Sequence, residues 1–294
     1  MIKIIINPIA GGSKTSTLWS DIERRIKKLR IEYHSVFTQG VGHATELAKA
    51  AIKEGFKKIF VVGGDGTLNE VINGIDLNQT TVGIIPTGSG NDLAKMIGLK
   101  DINDGLVSFQ HQNKRSIDLG KMRGRYFVNN LGIGFDAQVA KRAQILKVFR
   151  GGMDYLVSVL SILYGFKAFQ IEVVADGYRF CGKIMSLCMG NGQSHGGMFL
   201  LTPQAIIDDG LLDICIIREL SKTKFLLNIP KAIKGTHGCL REVKMFKTNK
   251  IIVRSDKNLF VHLDGEVLLE PIKEIEAEVL PRSLEVFSLS REGF

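Results

Sequence analysis

Three short turns in the first third of the sequence combine glycine with amide, hydroxyl and carboxylate side chains: Asn7-Pro8-Ile9-Ala10-Gly11-Gly12, Gly63-Gly64-Asp65-Gly66-Thr67-Leu68-Asn69, and Thr87-Gly88-Ser89-Gly90-Asn91-Asp92. Each follows an apolar run and precedes a helical pattern. Turns of this design aim backbone N–H groups and the positive end of a helix at one point, which suits phosphate. The first has no G-x-x-x-x-G-K-[ST] spacing and is therefore not a P-loop; it also reads as a plain strand-to-helix turn. In the second, three glycines give the backbone room for a triphosphate, and Asp65 can reach a phosphate-bound Mg²⁺ or simply cap a helix. In the third, Ser89 offers a hydroxyl to phosphate, while Asn91 and Asp92 start a helix or cap an ordinary turn.

Two later turns carry carboxylates. Leu263-Asp264-Gly265-Glu266 presents a pair that could divide acid and base roles through shifted pKa values, or form a solvated hairpin turn. At Ile206–Leu211, Asp209 and a turn through Gly210 could direct oxygen ligands at Mg²⁺ or Ca²⁺; an Asp-Gly turn without a metal explains it equally. The six histidines show no HExxH spacing, and His195, between glycines, reads as a surface or loop histidine. The four cysteines form no CxxC pair, which argues against a zinc site or a disulfide scaffold and fits a reducing compartment.

The elements that must hold these residues alternate. Ile2–Ile6 is a continuous apolar run of the buried parallel-strand kind. Leu18, Trp19, Ile22, Ile26 and Leu29 then share one helical face, and Ala44, Leu47, Ala48, Ala51 and Ile52 another. Glu32–Thr38, Ile59–Val62 and Val82–Pro86 are the next strands, with a short helix carrying Leu68, Val71 and Ile72 between the last two. This βαβα rhythm predicts a parallel sheet covered by helices on both faces. From about Arg115 strands dominate: Arg125–Asn130, Phe169–Val174, Arg179–Met189, Leu211–Arg218, Lys250–Arg254, Leu259–Leu263 and Ile275–Leu280, interrupted by a helical stretch at 136–165. Asp176-Gly177 is a hairpin turn. The second domain is therefore expected to be mostly antiparallel.

The chain has 294 residues, enough for two ordinary domains. Its net charge of +9 suits an anionic partner without choosing among nucleotide, nucleic acid and membrane. The N-terminal apolar run is too short for a signal peptide. Tyr155–Phe166, the longest later apolar stretch, falls short of the about 20 residues that span a bilayer. Lys141, Arg142, Lys147 and Arg150, followed by Met153, Tyr155, Leu156, Val159, Leu160, Ile162 and Leu163, could rest on an anionic surface or form a buried helix beside a solvated one. The basic run Arg24–Arg30 reads as the wet face of the first helix. No basic stripe with interleaved aromatics marks a nucleic-acid module.

Taken together, the motifs resemble the diacylglycerol kinase catalytic-domain family in its small bacterial soluble form, over nearly the whole chain. The markers are Asn7-Pro8 with its glycines, GGDGT at Gly63–Thr67, GSGNDLA at Gly88–Ala94, Asp118-Leu119-Gly120, NLGIGFDA at Asn130–Ala137, Pro203 to Leu211, and Asp264-Gly265-Glu266. Ser89 departs from the family's usual threonine but keeps a hydroxyl. The resemblance implies an NAD-kinase-like α/β nucleotide-binding domain at 1–120, joined by a C-terminal strand at 284–294, and a β-sandwich lipid-binding domain at 121–283, with the active site in the cleft between them. It implies transfer of the γ-phosphate of ATP to diacylglycerol or a related lipid, with Mg²⁺. By motif matching, nucleotide contacts fall on Asn7, Pro8, Ile9, Ala10, Gly11, Thr38, Gly63, Gly64, Asp65, Gly66, Thr67, Leu68, Asn69 and Ser89. Glu266 takes the position of proton acceptor, Asp65, Asp92 and Asp118 surround the catalytic magnesium, and Ile206, Asp209 and Leu211 form a second, structural metal site. The expected partners are a lipid substrate at an anionic membrane surface, visited peripherally from the cytoplasmic side, and optionally a second copy of the chain; nucleic acid is not expected. A sphingoid or ceramide kinase and a catalytically silent lipid-binding homologue are the alternatives. An NAD kinase is disfavoured, since its second dinucleotide-recognition stretch has no counterpart here.

Overall fold

The computed structural model describes residues 1–146 and 152–289, and only the backbone of 143–146 and 152–156. The chain folds as two units, Met1–Ile117 with the C-terminal segment from Arg282, and Asp118–Pro281.

In the first unit, strands β1 (Ile2–Ile6), β2 (Tyr33–Phe37), β3 (Lys58–Gly63) and β4 (Thr81–Pro86) alternate with helices α1 (Ala10–Lys28), α2 (His43–Lys53), α3 (Asp65–Ile72), α4 (Asp92–Met96) and α5 (Ile102–His111). The strands run parallel in the order β4-β3-β1-β2. Glu285 and Val286 of the returning segment pair in parallel with Thr81 and Val82, covering the outer edge of β4. Continuous apolar strands are what a sheet buried on both faces requires: Ile4, Ile5, Ile6, Val61 and Val62 are all fully buried. Even positions Ile4 and Ile6 join Trp19 and Ile22 of α1 and Phe109 of α5 in one core. There Phe60 stacks on Phe287 at 5.1 Å and meets Phe109 edge-on at 4.8 Å. Helices α2 and α3 pack on the other side.

In the second unit the chain runs through β5 (Lys114–Met122), β6 (Arg125–Phe127), β7 (Asn130–Gly134), α6 (Phe135–Leu146), α7 (Gly152–Gly165), β8 (Phe169–Ala175), β9 (Tyr178–Gly190), β10 (Leu212–Arg218), α8 (Lys222–Ile233), β11 (Val243–Thr248), β12 (Lys250–Leu263) and β13 (Glu266–Phe287). Its ladders are antiparallel, in the order β11-β10-β9-β7-β12-β13, with β8 pairing both β9 and β12. The hairpin at Asp176-Gly177 forms as its sequence predicts, with Ala175 opposite Tyr178. Leu131, Ile133, Leu187, Met189, Ile214, Val261 and Leu263 fill the core on one sheet face. A second cluster joins Phe135 and Val139 of α6, Val159 and Leu163 of α7, and Phe225 and Ile229 of α8.

The helical stretch expected at 136–165 contains α6 and α7. Helix α8 is not evident in the sequence, because Pro230 lies inside it and none of its side chains is fully buried. Ser221 starts it, its hydroxyl accepting the Lys224 N–H at 3.3 Å.

Candidate active site

The three glycine turns of the first unit leave the carboxyl ends of β1, β3 and β4, the edge where open parallel sheets bind ligands. They are tied to one another. Asn7 donates its backbone N–H to Val62 O at 2.9 Å and its Nδ2 to Thr67 Oγ1 at 2.8 Å. Thr87 N–H donates to Gly63 O at 2.9 Å, and Thr15 Oγ1 to Thr87 Oγ1 at 2.6 Å. Glycine is required where the loops touch. A Cβ on Gly11, whose φ is +61°, would lie 2.3 Å from Thr87 O, and one on Gly88 would lie 2.4 Å from Gly64 Cα.

Asp65 opens α3, yet its carboxylate serves another helix. Its Oδ1 accepts the Asp92 N–H at 2.7 Å and the Leu93 N–H at 3.4 Å, which caps α4. A Cβ on Gly90 would fall 2.7 Å from Asp65 Oδ2 and 3.8 Å from Asp92 Oδ2. Two carboxylates therefore flank a place kept open by a missing side chain, a donor set that fits a hard divalent cation. Ile9, Gly66 and Ser89 are exposed around it, and Pro8, Ala10, Gly11, Gly64 and Asp65 are half-buried. Gly63, Thr67, Leu68 and Asn69 are buried beneath, so this stretch presents the backbone of Gly64–Gly66 outward. Thr38, just after β2, is buried and donates its N–H to Ile6 O at 2.8 Å.

In the second unit, Asp264 and Gly265 have φ of +47° and +84° and form the two-residue turn between β12 and β13, with Leu263 opposite Glu266. Both positions with φ above zero are what a tight primed hairpin turn demands. The two carboxylates do not act as a pair. Asp264 accepts three backbone N–H groups, from Val128 at 2.7 Å, Asn129 at 2.9 Å and Asn130 at 2.8 Å, so it anchors the turn. Glu266 is half-exposed, and its Oε2 lies 2.7 Å from the Arg125 guanidinium. Beneath the turn, Gly265 N–H donates to His262 Nδ1 at 3.1 Å.

Asp118 is fully buried in the second unit. Its Oδ2 accepts the Gly210 N–H at 2.6 Å, and its N–H donates to Ile207 O at 2.7 Å. It thereby holds the turn containing Ile206, Asp209 and Leu211. Asp209 Oδ1 accepts the Leu211 N–H at 3.0 Å, and Oδ2 lies 2.7 Å from Lys247 Nζ, which also faces Asp213 at 3.3 Å. Burial works against the Lys247 charge, but its bond to Asp209 and the nearby Asp213 hold the ammonium above the usual lysine range. A lysine ammonium thus faces the Asp209 carboxylate that the resemblance places in a second metal site with Ile206 and Leu211.

An apolar cavity opens within the second unit beside α6, α7 and α8, lined by Phe135, Val139, Val159, Phe199, Phe225 and Ile229, with Asp136 and Ser186 on its wall. Arg125, His262 and this cavity carry no sequence signal. Arg125 is far from Glu266 in the chain, and the cavity depends on a helix whose pattern is weak.

Residues 1–122 match the family model described as the diacylglycerol kinase catalytic domain. Residues 129–288 match the model of the YegS C-terminal NAD kinase beta sandwich-like domain. A diacylglycerol kinase of Bacillus subtilis is 29% identical over 269 residues, covering 90% of this chain and 89% of that protein. One of Staphylococcus saprophyticus is 30% identical over 268 residues, covering 90% and 88%. A crystal structure of a diacylglycerol kinase from Bacillus anthracis shares the fold at a TM-score of 0.75 and 22% identity, covering 98% of this chain and 96% of that one. With both of its halves matched, the chain belongs to the diacylglycerol kinase family and is a lipid kinase.

Proposed function

We propose that this lipid kinase transfers the γ-phosphate of ATP to the free hydroxyl of diacylglycerol. The observation that carries the reading is the meeting of three glycine turns around the place flanked by Asp65 and Asp92. The backbone N–H groups of these turns hold the phosphates, and the two aspartates hold Mg²⁺. When bound, the metal neutralises charge on the phosphates. Glu266, fixed by Arg125, accepts the hydroxyl proton as the oxygen of the lipid bonds to phosphorus and the bond to the ADP leaving group breaks. The apolar cavity supports an acyl-chain substrate.

Phosphoryl transfer to a membrane lipid requires the protein to reach a bilayer. No helix among the described residues is long and apolar enough to cross one. Val157, Leu160 and Tyr164 of α7 and Leu227 of α8 are exposed, as are Lys141 and Arg142; Lys147 and Arg150 lie outside the described residues, as do the side chains of Met153, Tyr155 and Leu156. The proposed partner is an anionic membrane surface, to which the net charge of +9 adds attraction.

A kinase assay with labelled ATP in mixed micelles of diacylglycerol, a sphingoid base or ceramide tests the substrate. Label in phosphatidic acid is expected. Label in the sphingoid or ceramide product alone would replace diacylglycerol as the acceptor, and no label in any lipid would overturn the reading.

A further inference from the structure

One buried polar cluster of the second unit takes no part in the chemistry above, although it includes an aspartate of the Asn130–Ala137 motif. Asp136 in the first turn of α6, Cys188 on β9 and His195 in the loop after β9 each place a ligand-type atom within 4.8 Å of the other two. All three are buried, at 7%, 1% and 4% exposure. His195, read from its glycine neighbours as a surface or loop histidine, lies in a loop but is enclosed. Cys188 Sγ lies 3.0 Å from His195 Nε2 and 3.5 Å from Nδ1. Asp136 Oδ1 accepts from Ser186 Oγ and from the Ala137 N–H, both at 2.9 Å. Its Oδ2 is buried without a hydrogen-bond partner among the described residues. His262 Nε2 lies 3.5 Å from it, and a carboxylate oxygen enclosed in a protein without a close hydrogen bond is costly.

We propose that Asp136, Cys188 and His195 bind a borderline-soft divalent metal ion, Zn²⁺ by preference. The donor set is sulfur, nitrogen and oxygen, which zinc accepts and Mg²⁺ does not. Zn–S and Zn–N bonds of about 2.3 and 2.0 Å place the two donors about 3.5 Å apart in a tetrahedral site; Cys188 Sγ lies 3.5 Å from His195 Nδ1 and 3.0 Å from Nε2. Binding forms Zn–S, Zn–N and Zn–O bonds and releases the Cys188 thiol proton; no oxidant or reductant is involved. The thiolate and carboxylate together then balance the two charges of the ion.

A supporting layer is already present. Gly265 N–H donates to His262 Nδ1, which leaves the proton of neutral His262 on Nε2, 3.5 Å from Asp136 Oδ2. A histidine N–H directed at a metal-binding carboxylate is the usual way such ligands are oriented. Gly132 makes the approach possible, because a Cβ there would lie 2.1 Å from Asp136 Oδ2 and 2.3 Å from His262 Nε2. Spacing in the sequence could not show this site, because the fold gathers its donors from a helix, a strand and a loop.

The test is cobalt titration of the full chain, stripped of metal, with the exposed cysteines removed as Cys181→Ser and Cys239→Ser. One equivalent of Co²⁺ is expected to produce a thiolate-to-cobalt charge-transfer band with the visible bands of tetrahedral cobalt, and Zn²⁺ is expected to abolish both. The band should vanish in Cys188→Ser and persist in Cys215→Ala, with folding of each checked by circular dichroism. A protein without the band, or a band that survives Cys188→Ser, overturns the proposal. If Cys188→Ser does not fold, His195→Gln is the deciding variant, and it should lose tetrahedral cobalt binding.

Discussion

Arg125 and Glu266 form an ion pair in the second unit, guanidinium to carboxylate at 2.7 Å. A half-exposed ion pair adds little stability, so its value lies in holding Glu266 Oε2 in one place. Arg125→Ala should lower turnover about 10- to 100-fold, as loss of positioning does, with nucleotide affinity and melting temperature nearly unchanged. Arg125→Lys should restore part of the rate. Steady-state kinetics of both variants check this; normal turnover in Arg125→Ala would remove Arg125 from the account.

Asp264 serves the same turn by a different route. Its carboxylate satisfies three backbone N–H groups. In Asp264→Ala those donors lose their acceptor, at about 1–3 kcal/mol for each that stays buried, so denaturant unfolding should show a loss of several kcal/mol. Asp264→Asn keeps one acceptor oxygen and should lose less. Equal stability of Asp264→Ala and the parent chain would contradict the anchoring role.

Asp65 separates charge from capping. Asp65→Asn keeps an oxygen able to accept the Asp92 N–H but removes the negative charge. Turnover should fall at least ~100-fold, while the melting temperature stays close to that of the parent. Near-normal turnover would leave Asp65 as a helix cap alone.

His237 predicts the acid limb of stability. Burial pushes its pKa below the ordinary histidine value, against the pull of the backbone carbonyls of Leu201 and Lys231. Below about pH 6.5 the unfolded chain takes up a proton that the folded chain refuses, so this contribution is present above that pH and is lost as the pH falls toward the lowered folded value. Stability measured by denaturant unfolding should therefore decline with acid from about pH 6.5, and less steeply in His237→Gln. Parallel pH dependence in the two proteins would exclude His237 as a source.

The first unit was largely legible in the sequence, because its signals are local. Ile2–Ile6 and the runs before Gly63 and Thr87 are continuous and apolar, and each glycine turn lies directly after its strand. The resemblance of the motifs supplied the family and the sandwich architecture of the second unit. What stayed hidden there is long-range. In the sequence Asp264 reads either as half of a carboxylate pair or as part of a hairpin turn, and its three N–H partners lie far away in the chain at 128–130. Lys247 could not be matched to Asp209, nor Arg125 to Glu266, without the register of the antiparallel strands. Helix α8 was masked by Pro230, since a proline removes one backbone donor and argues against a helix.

Glu266 is proposed to take the proton from the lipid hydroxyl, and turnover together with ATP affinity of Glu266→Gln tests this most directly. The amide keeps the size of the side chain but cannot accept the proton. Loss of a general base costs about 10²–10⁴-fold, so diacylglycerol phosphorylation should fall by about that much while ATP binding is nearly unchanged. Unaltered turnover, or a drop in ATP binding that accounts for the whole loss, would contradict it.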